Sequence, residues 1–225
     1  MVGFNVKEAP IVVVGPVGML EGVFHPGESD GPLAAKGWVA VLCHPHPQHG
    51  GTMDNKVVTT LMRTYRDIGV GVVRFNFRGV GRSEGHFDHA NGEKDDLRAV
   101  IQWAEANLCP QGILIAGFSF GSSIAAQVSY EVPLLRHLIL VAPPVERYPY
   151  DQHGVFSAPL CVIQGDKDER VVASGVYQWF EGLAHASAFA SNTLLRYPDA
   201  SHFFHGYLSA LKQDLTRALL DQLSH

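Results

Sequence analysis

The stretch Gly112-Ile113-Leu114-Ile115-Ala116-Gly117-Phe118-Ser119-Phe120-Gly121-Ser122-Ser123-Ile124-Ala125-Ala126-Gln127-Val128 decides the fold. Its first half is an apolar run of strand type and its last seven residues read as a helix. The pattern G-x-S-x-G, from Gly117 to Gly121, bridges the two. A serine held at so sharp a turn takes a strained backbone conformation, and its hydroxyl stands free above the sheet edge. The glycines on either side answer a steric need, because strand and helix pass too close there for a Cβ. The plain alternative is a glycine-lined turn with a surface serine; the strand before and the helix after raise the match above that level.

A nucleophilic serine needs a base, and the base an orienting acid. Downstream, Ala158–Gln164 reads as a buried strand ending in Gly165-Asp166-Lys167-Asp168-Glu169-Arg170-Val171. Thr193–Tyr197 reads as another, followed by Pro198-Asp199-Ala200-Ser201-His202-Phe203-Phe204-His205. An acid-bearing loop and a histidine-bearing loop thus follow successive strands, in the order serine, acid, histidine. On residue type alone Asp166, Asp168 and Asp199 compete for the acid, and His202 and His205 for the base.

At these residues the chain resembles the α/β-hydrolase superfamily. It is similar to small, lidless serine hydrolases that carry segments like His44-Pro45-His46-Pro47, Gly50-Gly51-Thr52-Met53-Asp54-Asn55-Lys56-Val57 and Arg74-Phe75-Asn76-Phe77-Arg78-Gly79-Val80-Gly81-Arg82-Ser83-Glu84-Gly85. The resemblance runs over essentially the whole chain. It implies a mostly parallel, eight-stranded twisted sheet with helices on both faces and no cap domain, as a single domain over residues 1–225. It also selects the triad Ser119, Asp168 and His202, because Gly165, Asp168 and Val171 keep the spacing of relatives. Val172 departs from them, a proline being common there. Asp166 then serves a structural ion pair or caps the turn, and His205 contacts substrate or caps the last helix.

An oxyanion hole needs two backbone N–H donors. Phe120, after the nucleophile, supplies one. Pro45 and Pro47 have no N–H to give, so His46 between them, at the position matching the donor in relatives, supplies the other. The segment 146–157 is too short for a helical cap, which points to an open site for small acyl groups. The expected activity is hydrolysis of carboxylic esters or thioesters of a small-molecule substrate. A peptidase or amidase using the same triad, and a binding module without efficient chemistry, are the alternatives.

Composition agrees. The chain has 225 residues, 46% of them hydrophobic, and a net charge of -5. That supplies apolar mass for one core and no basic footprint for nucleic acid or anionic membrane. No apolar run approaches the roughly 20 residues of a membrane span, and residues 1–8 lack the pattern of a signal peptide. The three cysteines, Cys43, Cys109 and Cys161, are widely spaced and odd in number. They suit reduced thiols in a cytoplasmic protein. Among twelve histidines, His44, His46 and His49 lie close together, but intervening prolines and the lack of a completing carboxylate or thiolate argue against a metal. No cofactor is expected: neither G-x-x-x-x-G-K-[ST] nor G-x-G-x-x-G is present. Asn76 and Arg78 read as scaffold. Lys94, Asp95, Asp96 and Arg98 read as a solvated helix face. Phe118, Phe120, Phe203, Phe204, Tyr148 and Tyr150 divide between pocket lining and packing. The eighth-strand edge or the final helix could pair two copies.

Overall fold

The apolar runs of the sequence become the strands of one sheet in a computed structural model that describes residues 8–150, 156–186 and 192–223. The expectation for the N-terminal leader and the middle of segment 146–157 fall outside the described residues. Strands β1 (Ala9–Gly15) and β2 (Gly18–His25) form an antiparallel hairpin. There follow β3 (Trp38–Cys43), helix α1 (Lys56–Asp67), β4 (Gly71–Phe75), α2 (Gly92–Leu108), β5 (Gly112–Phe118), α3 (Phe120–Ser129) and β6 (Leu135–Val141). The described chain ends with β7 (Leu160–Gly165), α4 (Ala173–Ala186), β8 (Thr193–Tyr197) and α5 (Leu208–Leu223). The sheet order is β1-β2-β4-β3-β5-β6-β7-β8, parallel from β4 through β8.

Strand alternation sorts the core into two layers. Val39, Val41, Ile113 and Ile115 point to one face, where they meet Leu97 and Val100 of α2 and Ile124 and Val128 of α3. Ala40, Leu42, Leu114 and Ala116 point to the other, against Val58 and Leu61 of α1 and Leu211 and Leu215 of α5. Because both faces are covered, the central strands are apolar at nearly every position. Each buried aliphatic side chain contributes about 1.5–3 kcal/mol.

The strand order also positions the site. From β3 the chain leaves through α1 on one face, and from β5 through α3 on the opposite face. Their carboxyl ends therefore open a crevice at the point where the winding reverses, the place where open α/β sheets bind ligands. Ser119 follows β5 and His44–His46 follow β3.

One sequence expectation is corrected. Lys94, Asp95 and Arg98 do lie toward solvent, but Asp96 is fully buried. It accepts from the Arg78 backbone N–H at 2.9 Å and from the Arg78 guanidinium Nε and Nη2 at 3.0 and 2.7 Å. A carboxylate of this kind is tolerated inside because nearly every lone pair has a charged or backbone donor. Asn76 is scaffold as expected: its amide accepts from the Met53 N–H at 2.8 Å and donates to Glu21 at 2.6 Å. Asp96→Ala leaves the Arg78 guanidinium buried and unpaired, so it should lower unfolding free energy by about 3–5 kcal/mol in a urea titration. A loss below about 1 kcal/mol would show that solvent reaches Arg78.

Candidate active site

Ser119 sits between β5 and α3 with φ 52° and ψ −121°, a conformation a side chain rarely adopts. Such strain costs on the order of 1–3 kcal/mol and persists only where neighbours fix it. Here the Ser119 N–H donates to the Val141 carbonyl at 2.8 Å. The Ser119 carbonyl accepts from the Ser122 N–H and hydroxyl at 2.9 and 2.5 Å. Ser122 is bonded in turn to the buried Tyr150 hydroxyl at 2.7 Å. The glycines are steric necessities: a Cβ on Gly117 would lie 2.2 Å from the Gly121 carbonyl oxygen, and one on Gly121 2.4 Å from that of His44.

The three predicted side chains come together. His202 Nε2 lies 3.0 Å from Ser119 Oγ, and its Nδ1 2.8 Å from Asp168 Oδ2. A carboxylate only accepts, so Nδ1 carries the proton and Nε2 is left as the acceptor facing the serine hydroxyl. Asp168 is held by further donors: the Arg170 and Val171 N–H groups at 2.8 Å each, and the Gln164 amide at 3.2 Å. Burial pushes its carboxyl up, but the bond and charge of His202 and the two backbone donors outweigh that, leaving it below the usual carboxylate range. The competing acids are occupied elsewhere. Asp166 pairs with Arg196 at 3.2 Å and with Tyr177, and Asp199 pairs with Lys167 at 2.5 Å on the surface. His205 is exposed, its ring 6.0 Å from that of Phe203.

A cleft of about 210 Å³ opens over Ser119 and His202, and both His46 and Phe120 border it. The loop bearing His46 is tightly folded. Its carbonyl accepts from the His49 and Gly51 N–H groups at 3.0 and 3.1 Å. Its ring stacks on His49 at 4.3 Å and lies 5.1 Å from Phe120. Burial, then the charges of His49 and His89, push the His46 imidazole below its ordinary range. The aromatic set divides: Phe120, Tyr148 and Phe203 line the cleft, whereas Phe118, Tyr150 and Phe204 are buried, Phe118 packing 5.0 Å from the His202 ring. Asn55, Arg147, Glu169 and Arg170 also line the cleft and were not singled out from sequence. For Glu169 and Arg170 a signal existed, since any loop that turns Asp168 inward carries its next two residues to the mouth.

His44 ties this loop to β4. It is fully buried, with Nδ1 donating to the Pro45 carbonyl at 2.6 Å and Nε2 accepting the Phe77 N–H at 3.0 Å. Both bonds require the neutral ring, and burial lowers its pKa to about 4. Buried His137 is likewise lowered to about 4 by burial. An unfolded imidazole titrates near about 6.5. Between those values the unfolded chain binds protons that the folded chain does not, so stability present above pH 6.5 drains away as pH falls toward 4. At pH 5 the loss should reach roughly 2 kcal/mol per buried imidazole. His44→Gln should remove its share of that dependence in urea titrations at pH 7 and 5; an unchanged pH dependence would mean that His44 is protonated in the fold.

Known proteins match this chain in sequence and in fold. Residues 23–162 match the family described as X-Pro dipeptidyl-peptidase (S15 family). A crystal structure of an a/b serine hydrolase without lid from Xanthomonas campestris is 40% identical, with a TM-score of 0.85 over 96% of this chain and 95% of that one. An alpha-beta serine hydrolase homologue from Coxiella burnetii is also 40% identical, with a TM-score of 0.83 over 94% and 97%. An uncharacterized protein of Rickettsia prowazekii is 36% identical over 194 residues, 84% of this chain and 79% of that one. With its mostly parallel eight-stranded sheet and the serine at the turn after β5, the chain belongs to the S15 family of α/β serine hydrolases.

Proposed function

We propose that the protein hydrolyses carboxylic esters or thioesters of small acyl groups through Ser119, His202 and Asp168. The observation that carries this reading is the unbroken chain from Ser119 Oγ through both ring nitrogens of His202 to Asp168, at 3.0 and 2.8 Å. Ser119 Oγ attacks the substrate carbonyl carbon while His202 Nε2 takes the hydroxyl proton. The carbonyl oxygen becomes an oxyanion that accepts from the Phe120 and His46 backbone N–H groups. As the intermediate collapses, the carbon–oxygen or carbon–sulfur bond to the leaving group breaks and His202 returns the proton to it. Water, deprotonated by His202, then attacks the acyl-enzyme carbonyl, the bond from the acyl carbon to Ser119 Oγ breaks, and His202 returns the proton to Oγ as the acid leaves. Asp168 holds the ring and stabilises its cationic form. The small cleft supports short acyl groups. The buried, free thiols of Cys43 and Cys161 support a reducing, cytoplasmic setting.

Family membership favours a second reading, release of X-Pro dipeptides from an amide. A free N-terminal ammonium needs a carboxylate at the mouth, and Glu169 is the candidate there. It is flanked by Arg147 and Arg170, which disfavours a cationic substrate, so the ester reading comes first.

Fluorophosphonate labelling with mass-spectrometric site mapping should modify Ser119, and Ser119→Ala and His202→Ala should abolish it. On the best ester of an acyl-length series, Ser119→Ala should lose on the order of 10⁴-fold or more in kcat. Asp168→Asn should lose a comparable factor by presenting the wrong His202 tautomer. A folded wild-type protein that takes no label would overturn the reading. Turnover of an X-Pro p-nitroanilide faster than any ester would install the second.

A further inference from the structure

The walls of the cleft carry a charge arrangement that the triad does not use. Arg147, from the loop after β6, and Arg170, from the loop after β7, line the same cleft as Ser119 and His202. Their positions are fixed relative to each other, because Arg147 Nη2 donates to the Arg170 carbonyl at 3.1 Å. The Arg170 guanidinium lies over the Phe203 ring at 5.2 Å, and Phe203 follows the base His202. One guanidinium is thus seated on an aromatic platform beside the reacting atoms. Glu169 is the acidic residue lining the cleft. Its carboxylate accepts the His202 N–H at 3.2 Å and reaches Arg170 only at 3.9 Å. Among the described residues Arg147 has no carboxylate within ion-pair distance. Neighbouring Glu146 faces Gly175 at the start of α4.

In a chain of net charge -5, the mouth of the cleft therefore carries a local excess of positive charge. Two guanidiniums left partly unpaired among the described residues, beside a small cleft, form a site for a planar anion, since their forked N–H groups match a carboxylate. We propose that the ester or thioester cleaved here bears a carboxylate a few atoms from the scissile carbonyl, held by Arg147 and Arg170. This rests on the hydrolase reading and names its substrate class. A cleft of about 210 Å³ accommodates a short chain between the scissile carbonyl and the carboxylate, on the acyl side or on the alcohol side.

Three esters of similar size separate these cases in a pH-stat assay: ethyl pentanoate, monoethyl glutarate and O-pentanoylglycolate. The expected result is a kcat/KM at least about tenfold higher for one charged ester than for the neutral one. Monoethyl glutarate as the better substrate places the carboxylate on the acyl side, O-pentanoylglycolate on the alcohol side. The preference should disappear through KM in Arg147→Gln and Arg170→Gln, weaken as salt is raised, and survive in Lys167→Gln, which changes an exposed cation off the cleft. Equal or slower turnover of both charged esters, by protein whose Ser119 accepts the fluorophosphonate, overturns this inference and leaves the hydrolase reading standing. If Ser119 takes no label, calorimetry with glutarate decides without turnover. Saturable binding lost in Arg147→Gln upholds the anion site, and no binding overturns it.

Discussion

The close crossing of two backbones, the turn after β5 and the end of β3, is the constraint on which the rest of the site depends. Gly121 lies against the Cys43 and His44 carbonyls so tightly that a Cβ would stand 2.4–2.5 Å from their oxygens, and Gly117 lies equally close to Gly121. This contact brings Ser119, after one strand, close to the His44–His46 loop that follows its neighbour. It also forces Ser119 into positive φ, since only a sharp reversal starts α3 at Phe120 without lifting it off the sheet. The strain is offset locally by the Val141, Ser122 and Tyr150 bonds around Ser119. A serine so held has little freedom to lose on meeting a substrate, which is the geometric part of preorganisation.

The electrostatic part is divided between groups held charged and groups held neutral. Asp168 is surrounded by donors that keep it ionised, so His202 can take a proton opposite a fixed counter-charge. His44 is treated in the opposite way. Its two nitrogens face a carbonyl and an N–H, a pairing that only the neutral tautomer satisfies. A cationic ring there would stand beside the His46 loop in a poorly screened interior and would turn an N–H toward the Phe77 N–H. The same burial that disfavours that charge makes the donor loop rigid. Charge is held at Asp168, beside His202, and excluded at His44, where it would loosen the frame.

Much of this was legible in the sequence, for physical reasons. Strands covered on both faces must be apolar at nearly every residue, so β3, β5, β6 and β7 announce themselves. Asp168 and His202 are readable because each stands just after such a strand. Asp96 was misread because helical spacing reports neighbours on the same helix, and its partner Arg78 lies on a preceding loop. Periodicity carries no information about a partner reached across the fold. β4 ends at Phe75, and beyond it the Asn76 side chain bonds Met53 and Glu21 while the Arg78 side chain bonds Asp96. Arg147 was unreadable as a cleft residue for a related reason: its place there is set by a bond to the Arg170 carbonyl, on another loop.

The separation between what is buried and what is exposed explains how such a site divides its tasks. The His202 and Asp168 side chains are almost wholly buried, and each is fixed by bonds that tolerate little change of shape. Arg147, Glu169 and Arg170 are exposed, on loops after β6 and β7 that cross the mouth. On the proposed reading, a substitution of the Arg147 side chain alters which substrates dwell near Ser119 without disturbing the proton path, because its bond runs to the Arg170 carbonyl, whereas the Glu169 carboxylate also holds the His202 N–H. On the same reading, a substitution at Ser119, His202 or Asp168 removes the chemistry whatever the mouth prefers. Loops on a rigid sheet can thus change selectivity while the buried frame conserves the reaction. In an open cleft of this size, charge at the mouth acts over a longer distance than shape does. Under the proposed anion site, the loops after β6 and β7 are the part of the molecule where selectivity is set at least cost to the fold.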